Sequence, residues 1–195
     1  LEFRRVLFRS RDAALNLPVT SSLSMSLGRL GSKVALAPAP ATGGDRIMLN
    51  GGALPPDSKF AVRLSRFLDL FRPEPDYAYA VTAENSIPTA AGFASSASGF
   101  AAVVKALDRL CGWGLEGRAL SILARLGSGS AARSVFDGLV EWHAGKAADG
   151  MDSVAEPLGV DWPELQIGLV VGTAAEKGLG AREAVRSEEH TSELQ

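Results

Sequence analysis

One cysteine, two histidines and no long apolar run leave this 195-residue chain without the commonest clues to function. A single Cys111 excludes an internal disulfide, and His143 and His190 form no metal-ligand cluster at a usable spacing. Cys111 reads instead as a small residue packed on a helix face. No stretch approaches the about 20 apolar residues of a membrane-spanning helix, and the first residues lack a signal peptide's apolar segment. The expectation is a cytoplasmic protein with no membrane partner. Positive charge is not in excess either: a net charge of −2 supplies no basic stripe to neutralise a phosphate backbone, which argues against nucleic acid as a partner. What the chain does have is 46% hydrophobic and 22% charged residues, the profile of a globular domain with a well-filled core.

The two ends differ in composition from the body. "LEFRRVLFRS" at residues 1–10 and "RSEEHTSELQ" at 186–195 resemble translated adapter sequence, so both are read as non-native tails. The natural unit is then expected to run over residues 11–185, as one portion of a longer protein.

Within that unit "VTSSLSMSLG" alternates Leu23, Met25 and Leu27 with Ser22, Ser24 and Ser26, a period of two that suits a strand burying its apolar face. "SKVALA" continues the alternation, and "RIMLNGGAL" reads as a strand, an Asn50-Gly51 turn and a short return. The next segment sets Phe60, Leu64, Phe67, Leu68 and Phe71 on one helical face, with Asp57 or Ser58 as N-cap and Pro73 as the stop. "DYAYAVTAEN" is a further strand. It leads through a serine-rich loop into a helix marked by Phe100, Val103, Val104, Leu107, Leu110 and Cys111. "GRALSILARLG" predicts another helix, "SGSAARSVFDG" a second serine-rich lead into a short helical segment, and "LVEWH" and "LQIGLVVGTA" the last strands. The sum is an α+β fold, mixed α/β in content, without internal repeats.

The loop "NSIPTAAGFASSASGF" (85–100) carries the first chemistry. Unpaired N–H groups and the aligned peptide dipoles make a helix start attractive to an anion. Gly92 lets backbone approach closely, and Ser95, Ser96 and Ser98 supply hydroxyls for phosphate oxygens or a magnesium ion. The competing reading is that the serines only cap the helix. Other signatures fail. No Walker A lysine follows Gly92 or Gly99. "GSGSAA" at 127–132 mimics a dinucleotide fingerprint but follows a helix rather than a strand, and no G-x-S-x-G elbow accompanies His143, placed on a strand. In "GSGSAARS", Ser128, Ser130 and Arg133 are spaced so that two hydroxyls and a guanidinium converge, a group suited to paired hydrogen bonds with carboxylate or phosphate. A solvated surface arginine is the alternative there.

"ENSIPTAAGFASSASGFAA" followed by "GSGSAARSVFDGLVEWHAG" closely resembles the diphosphomevalonate decarboxylases of the GHMP kinase superfamily. "RDAALNLPVTSSLSMSL" and "DGMDSVAEPLGVDWPELQIGLVV" fall in that family's order. The resemblance implies a GHMP-type N-terminal α/β domain like part of a ribosomal protein, and ATP and magnesium as cofactors. It also implies mevalonate 5-diphosphate as substrate and a homodimeric parent enzyme. Phosphorylation of the substrate's tertiary hydroxyl, then loss of phosphate and carbon dioxide, gives isopentenyl diphosphate. Carried over by position, Gly92, Ser95, Ser96 and Ser98 belong to the ATP-phosphate loop, with magnesium near Ser96. Ser128 and Ser130 hold the substrate diphosphate, Arg133 orients its carboxylate, and Arg182 is a further substrate-side arginine.

Departures from the pattern are equally specific. "VLFRS" stands where the family has a Lys-Tyr-Trp-Gly-Lys motif, and Ala181 replaces a serine before Arg182. Asp137 occupies a position usually glycine. The family's catalytic aspartate is expected beyond residue 195, so no catalytic residue is assigned in this chain, and the chain by itself is expected to be inactive. Three alternatives share the loop: a GHMP kinase of mevalonate-type substrates, a decarboxylase of the monophosphate, and a non-catalytic nucleotide-binding relative.

Overall fold

Asn50 and Gly51 both adopt positive φ, 49° and 82°, the geometry a two-residue hairpin needs to match strand twist. They join β5 (Arg46–Leu49) to β6 (Gly52–Ala53) in the computed structural model, which describes residues 10–40, 42–86, 95–160 and 162–165, with Ser95 by its backbone alone. β5 also pairs in parallel with β7 (Ala78–Asn85), and β7 pairs antiparallel over eight residues with β4 (Ser32–Ala39). The parallel pair requires a crossover. It is supplied by α1 (Lys59–Leu68), where Ser58 accepts a hydrogen bond from the Ala61 N–H as N-cap, and a 3-10 turn (Asp69–Phe71) ends the run before Pro73.

Ile47, Leu64, Phe67, Leu68, Tyr79 and Val81 are buried where α1 covers this four-stranded sheet. The core continues into α2 (Ser95–Cys111) through Phe100, Val103, Val104 and Leu107, and into α3 (Gly117–Gly127) through Ala124. Phe67 and Phe100 meet edge-on at 5.0 Å, the arrangement that the aromatic quadrupole favours. Leu110 is partly buried, but Cys111 is exposed, so the expected packing of its thiol is corrected: the helical stripe ends one residue before it.

A second, three-stranded sheet orders β3 (Ser22–Met25), β8 (Leu139–Trp142) and β9 (Ala155–Pro157), all antiparallel. Here Leu23 departs from the expected buried face, whereas Met25 and Leu27 are half-buried. Leu23 is 61% exposed and sits opposite Glu141, while Ser22 and Ser24 share the inner face with Trp142 and Val140. Period two was legible; the buried face was not, because Val140 and Trp142 on the partner strand supply the apolar surface. His143 lies just past β8, its N–H donating to the Val154 carbonyl. β1 (Ser10–Asp12), β2 (Leu17–Pro18) and β9, three short strands, carry too few residues to show a period. Of the strand expected in "LQIGLVVGTA", all but Leu165 lies outside the described residues.

Two cations, Arg125 buried and Arg72 half-buried, tie the layers. Arg125, 1% exposed at the end of α3, donates to the carbonyls of Gly150 and Ser153, both at 2.8 Å, and burial pushes its pKa down. Arg72 grips Asp45 through two hydrogen bonds of 2.7 and 2.9 Å, and the Asp45 side chain is 1% exposed. Burial alone would raise the Asp45 pKa, but hydrogen bonds from Arg72, the Tyr79 N–H and Ser65, with the Arg72 charge, hold it below its ordinary value. The Arg72 pKa is correspondingly raised, chiefly by its bond to Asp45.

A Cβ on Gly127 would stand 2.2 Å from Cδ1 and 2.6 Å from Cγ of buried Phe100, so no small ring movement makes room. Gly127→Ala should cost about 1–3 kcal/mol, read as a lowered urea midpoint. For Asp45, the folded-state pKa lies below the unfolded one, so its stabilisation is full above the unfolded value and is lost as pH falls through the folded one. Asp45→Asn should destabilise the protein at neutral pH and flatten the loss of stability below about pH 4, measured by denaturant unfolding across the acid range.

Candidate functional site

α2 and α3 cross at Phe100 and Gly127, and that crossing brings the two serine-rich segments to one place. A cavity of about 380 Å³ opens between the sheets. Ala97, Ser98, Ala102 and Lys105 line it from α2, at the spacing of one helical face. Ser130, Arg133, Ser134 and Asp137 line it from the segment after α3, and Ser24 and Ser26 from β3 and the residue following it. With Ser32 of β4, serines therefore line the cavity from four separate places, with cationic side chains from two.

On the α2 side, the Ser98 and Ser32 hydroxyls are 2.8 Å apart, and Ser32 donates to Asn85 Oδ1 at 2.6 Å. This chain links the first turns of α2 to the adjoining ends of β4 and β7, so the Ser98 hydroxyl is held at the cavity wall. Ser96 is half-buried in the first turn and is not part of the lining. Gly92 lies outside the described residues, as does the Ser95 side chain.

On the other side, the short helical segment expected after α3 is a single 3-10 turn (Gly129–Ala132), with the Ala131 N–H on the Ser128 carbonyl and the Arg133 N–H on that of Ser130. Four residues carry little aligned dipole, so charge here comes from Arg133 rather than from the backbone. Ser128 is 6% exposed with its hydroxyl 3.5 Å from that of Ser130, and it does not line the cavity; Ser130 and Arg133 do. Ser128 carries the turn and Ser130 presents its hydroxyl. Arg182 lies outside the described residues.

Arg133 donates through Nη1 to Ser22 Oγ at 2.6 Å, and its guanidinium stands 5.7 Å from the Trp142 ring. Desolvation pushes its pKa down, yet an arginine starts so high that it remains a cation. Among the described residues no carboxylate pairs with it. A half-buried cation at a hydroxyl-lined cavity is built to receive an anion.

Several residues of this site carry no individual signal in the sequence: Ser22, Ser24 and Ser26 read only as part of a strand, and Lys105 follows from Ser98 at i+7 once α2 is known to face the cavity. The serine alternation in "SSLSMS" was the available signal, masked by the more familiar habit of burying leucines.

The family model of the diphosphomevalonate decarboxylase-like N-terminal domain matches residues 8–155. Diphosphomevalonate decarboxylase of Saccharomyces cerevisiae is 37% identical over 199 residues, covering 94% of this chain and 50% of the relative. Among solved structures, the mevalonate diphosphate decarboxylase of Enterococcus faecalis, in a study of mevalonate diphosphate-mediated ATP binding, superposes with a TM-score of 0.67 at 35% identity, covering 76% of this chain and 46% of that one. MDDEF in complex with MVAPP, AMPPCP and magnesium gives a TM-score of 0.66 at 35% identity, covering 76% and 45%. The chain spans about half the length of the curated relatives it matches. With more than half of its residues inside the family model, the chain belongs to the diphosphomevalonate decarboxylase-like N-terminal domain family.

Proposed function

We propose that the protein carrying this chain decarboxylates mevalonate 5-diphosphate to isopentenyl diphosphate at the expense of ATP, and that this chain supplies the pocket where acceptor and nucleotide meet. The supporting observation is one cavity lined by Ser98 from α2 and by Ser130 and Arg133 from the segment after α3. Residues 11–185 are taken as the binding unit, and a cytoplasmic homodimer as the parent. Among the described residues no helix is long and apolar enough to cross a membrane.

The described residues fit both ligands. Held hydroxyls and two cations, Lys105 and Arg133, complement phosphoryl and carboxylate oxygens. The loop of Gly92, Ser95, Ser96 and Ser98 is assigned to the nucleotide phosphates. ATP supplies the phosphoryl group that makes the tertiary hydroxyl a good leaving group. Magnesium is proposed to sit near Ser96. Such an ion is commonly held through phosphate oxygens rather than a cage of side chains, and among the described residues no cluster of His, Cys, Asp or Glu forms one. Ser130, with Ser128 fixing its turn, is assigned to the substrate diphosphate, and Arg182 to the same side.

Arg133 is assigned to the carboxylate. Paired N–H donors fix the orientation of the carboxylate that must break away, so that its electrons are aligned with the carbon losing its oxygen. Partial desolvation of the half-buried guanidinium strengthens that grip. Catalysis on this side is positioning and electrostatics.

Calorimetry on the chain tests both halves. Arg133→Ala should weaken mevalonate 5-diphosphate binding by about 10- to 100-fold while leaving ATP affinity within about twofold; an equal loss of ATP affinity contradicts the acceptor-side role. Ser96→Ala and Ser98→Ala should do the reverse, weakening ATP–magnesium by about 5- to 10-fold with acceptor affinity retained. In a full-length protein carrying the chain, equal yields of ADP, phosphate and carbon dioxide are expected, whereas ADP without carbon dioxide would identify a kinase.

A further inference from the structure

An arginine that must meet a carboxylate in one orientation has a flexible side chain to order, and rotamer freedom lost on binding subtracts from affinity. Arg133 is already ordered before any ligand arrives. Ser22 and Trp142 are register partners across the β3–β8 ladder, so both project from the same face of the sheet, side by side. Ser22 Oγ accepts from Arg133 Nη1 at 2.6 Å, and the Trp142 ring lies 5.7 Å from the guanidinium carbon, within reach of a cation–π contact.

The seat is closed from behind. Trp142 is 7% exposed and packs with Val140, Ala132 and Ala155, and a Cβ on Gly129 would stand 3.1 Å from Trp142 Cη2. The glycine of the 3-10 turn and the indole therefore fit against each other, which fixes the turn carrying Arg133 to the strand carrying Trp142. Arg133 Nε and Trp142 Nε1 are both buried without a hydrogen-bond partner among the described residues, as is Nε of Arg125.

We infer that Ser22 and Trp142 are positioning residues for Arg133: one rung of the β3–β8 ladder holds the guanidinium at the cavity wall in the orientation that receives the substrate carboxylate. The inference rests on the acceptor-side role proposed for Arg133. Neither residue touches substrate in this account, and both act through the arginine.

The test is calorimetric titration of the full chain with mevalonate 5-diphosphate, for single variants and for the same variants combined with Arg133→Ala. Ser22→Ala and Trp142→Leu should each weaken binding by about 5- to 10-fold when Arg133 is present and by less than about twofold when it is replaced. Trp142→Phe keeps a ring face and should restore most of the loss. Should Trp142→Leu fail to fold, Ser22→Ala and Trp142→Phe carry the test, since the first removes one oxygen and the second conserves the packing. Equal losses with and without Arg133 would show a general structural role and overturn the inference while leaving Arg133 on the acceptor side, as would no loss in Ser22→Ala. If Arg133→Ala itself leaves affinity unchanged, the acceptor-side role falls and the positioning role with it.

Discussion

The crossing of α2 and α3 has no room for a Cβ. Gly127 lies against the Phe100 ring, Phe100 against Phe67, and the Arg63 guanidinium over Phe100 while donating to the Gly127 carbonyl. Everything at the cavity depends on this approach. α2 begins with one serine-rich segment, α3 ends at the other, and a close crossing lets Ser98 face Ser130 and Arg133 across one opening. A glycine at the end of a helix is ordinarily explained by capping; here its φ is not positive, and the reason is steric.

Around that contact the fold divides its work. The larger sheet, with α1 on it, gives α2 an apolar bed and holds the Ser98 hydroxyl through Ser32 and Asn85. The smaller sheet does the opposite: it has little core of its own beyond Val140, Trp142, Ala132 and Ala155, and spends its inner face on Ser22, Ser24 and the support of Arg133. Buried cations on carbonyls, as at Arg125, join the two where an apolar contact would not reach the loop around Gly150. A sheet that lines a polar cavity trades hydrophobic burial for placement, and this one is held by its register and by its neighbours.

Much of this was legible in the sequence for reasons that can be named. α1 carried a five-residue apolar stripe with a cap and a proline stop, and the Asn50-Gly51 pair demanded a hairpin. The serine-rich segments were recognisable as anion-binding candidates because helix starts and arginines leave a compositional mark. What could not be read was the face of β3, since alternation gives a period and not a direction, and the partner strand decides which side is inner. Nor could spacing distinguish Ser128 from Ser130: two residues apart on a 3-10 turn, one hydroxyl turns in and the other reaches the cavity. Arg125 was invisible as a buried residue because a helix-terminal arginine is ordinarily solvated, and its partners are carbonyls about 25 residues away that carry no sequence signature.

The claim that a single cleft receives both anions is tested most directly by a crystal structure of the chain grown with mevalonate 5-diphosphate. The account predicts the ligand's carboxylate within hydrogen-bonding distance of the Arg133 guanidinium and its diphosphate on the Ser130 side of the same cavity. Ligand density at another surface, with Arg133 still resting on Ser22 and facing only solvent, would contradict it.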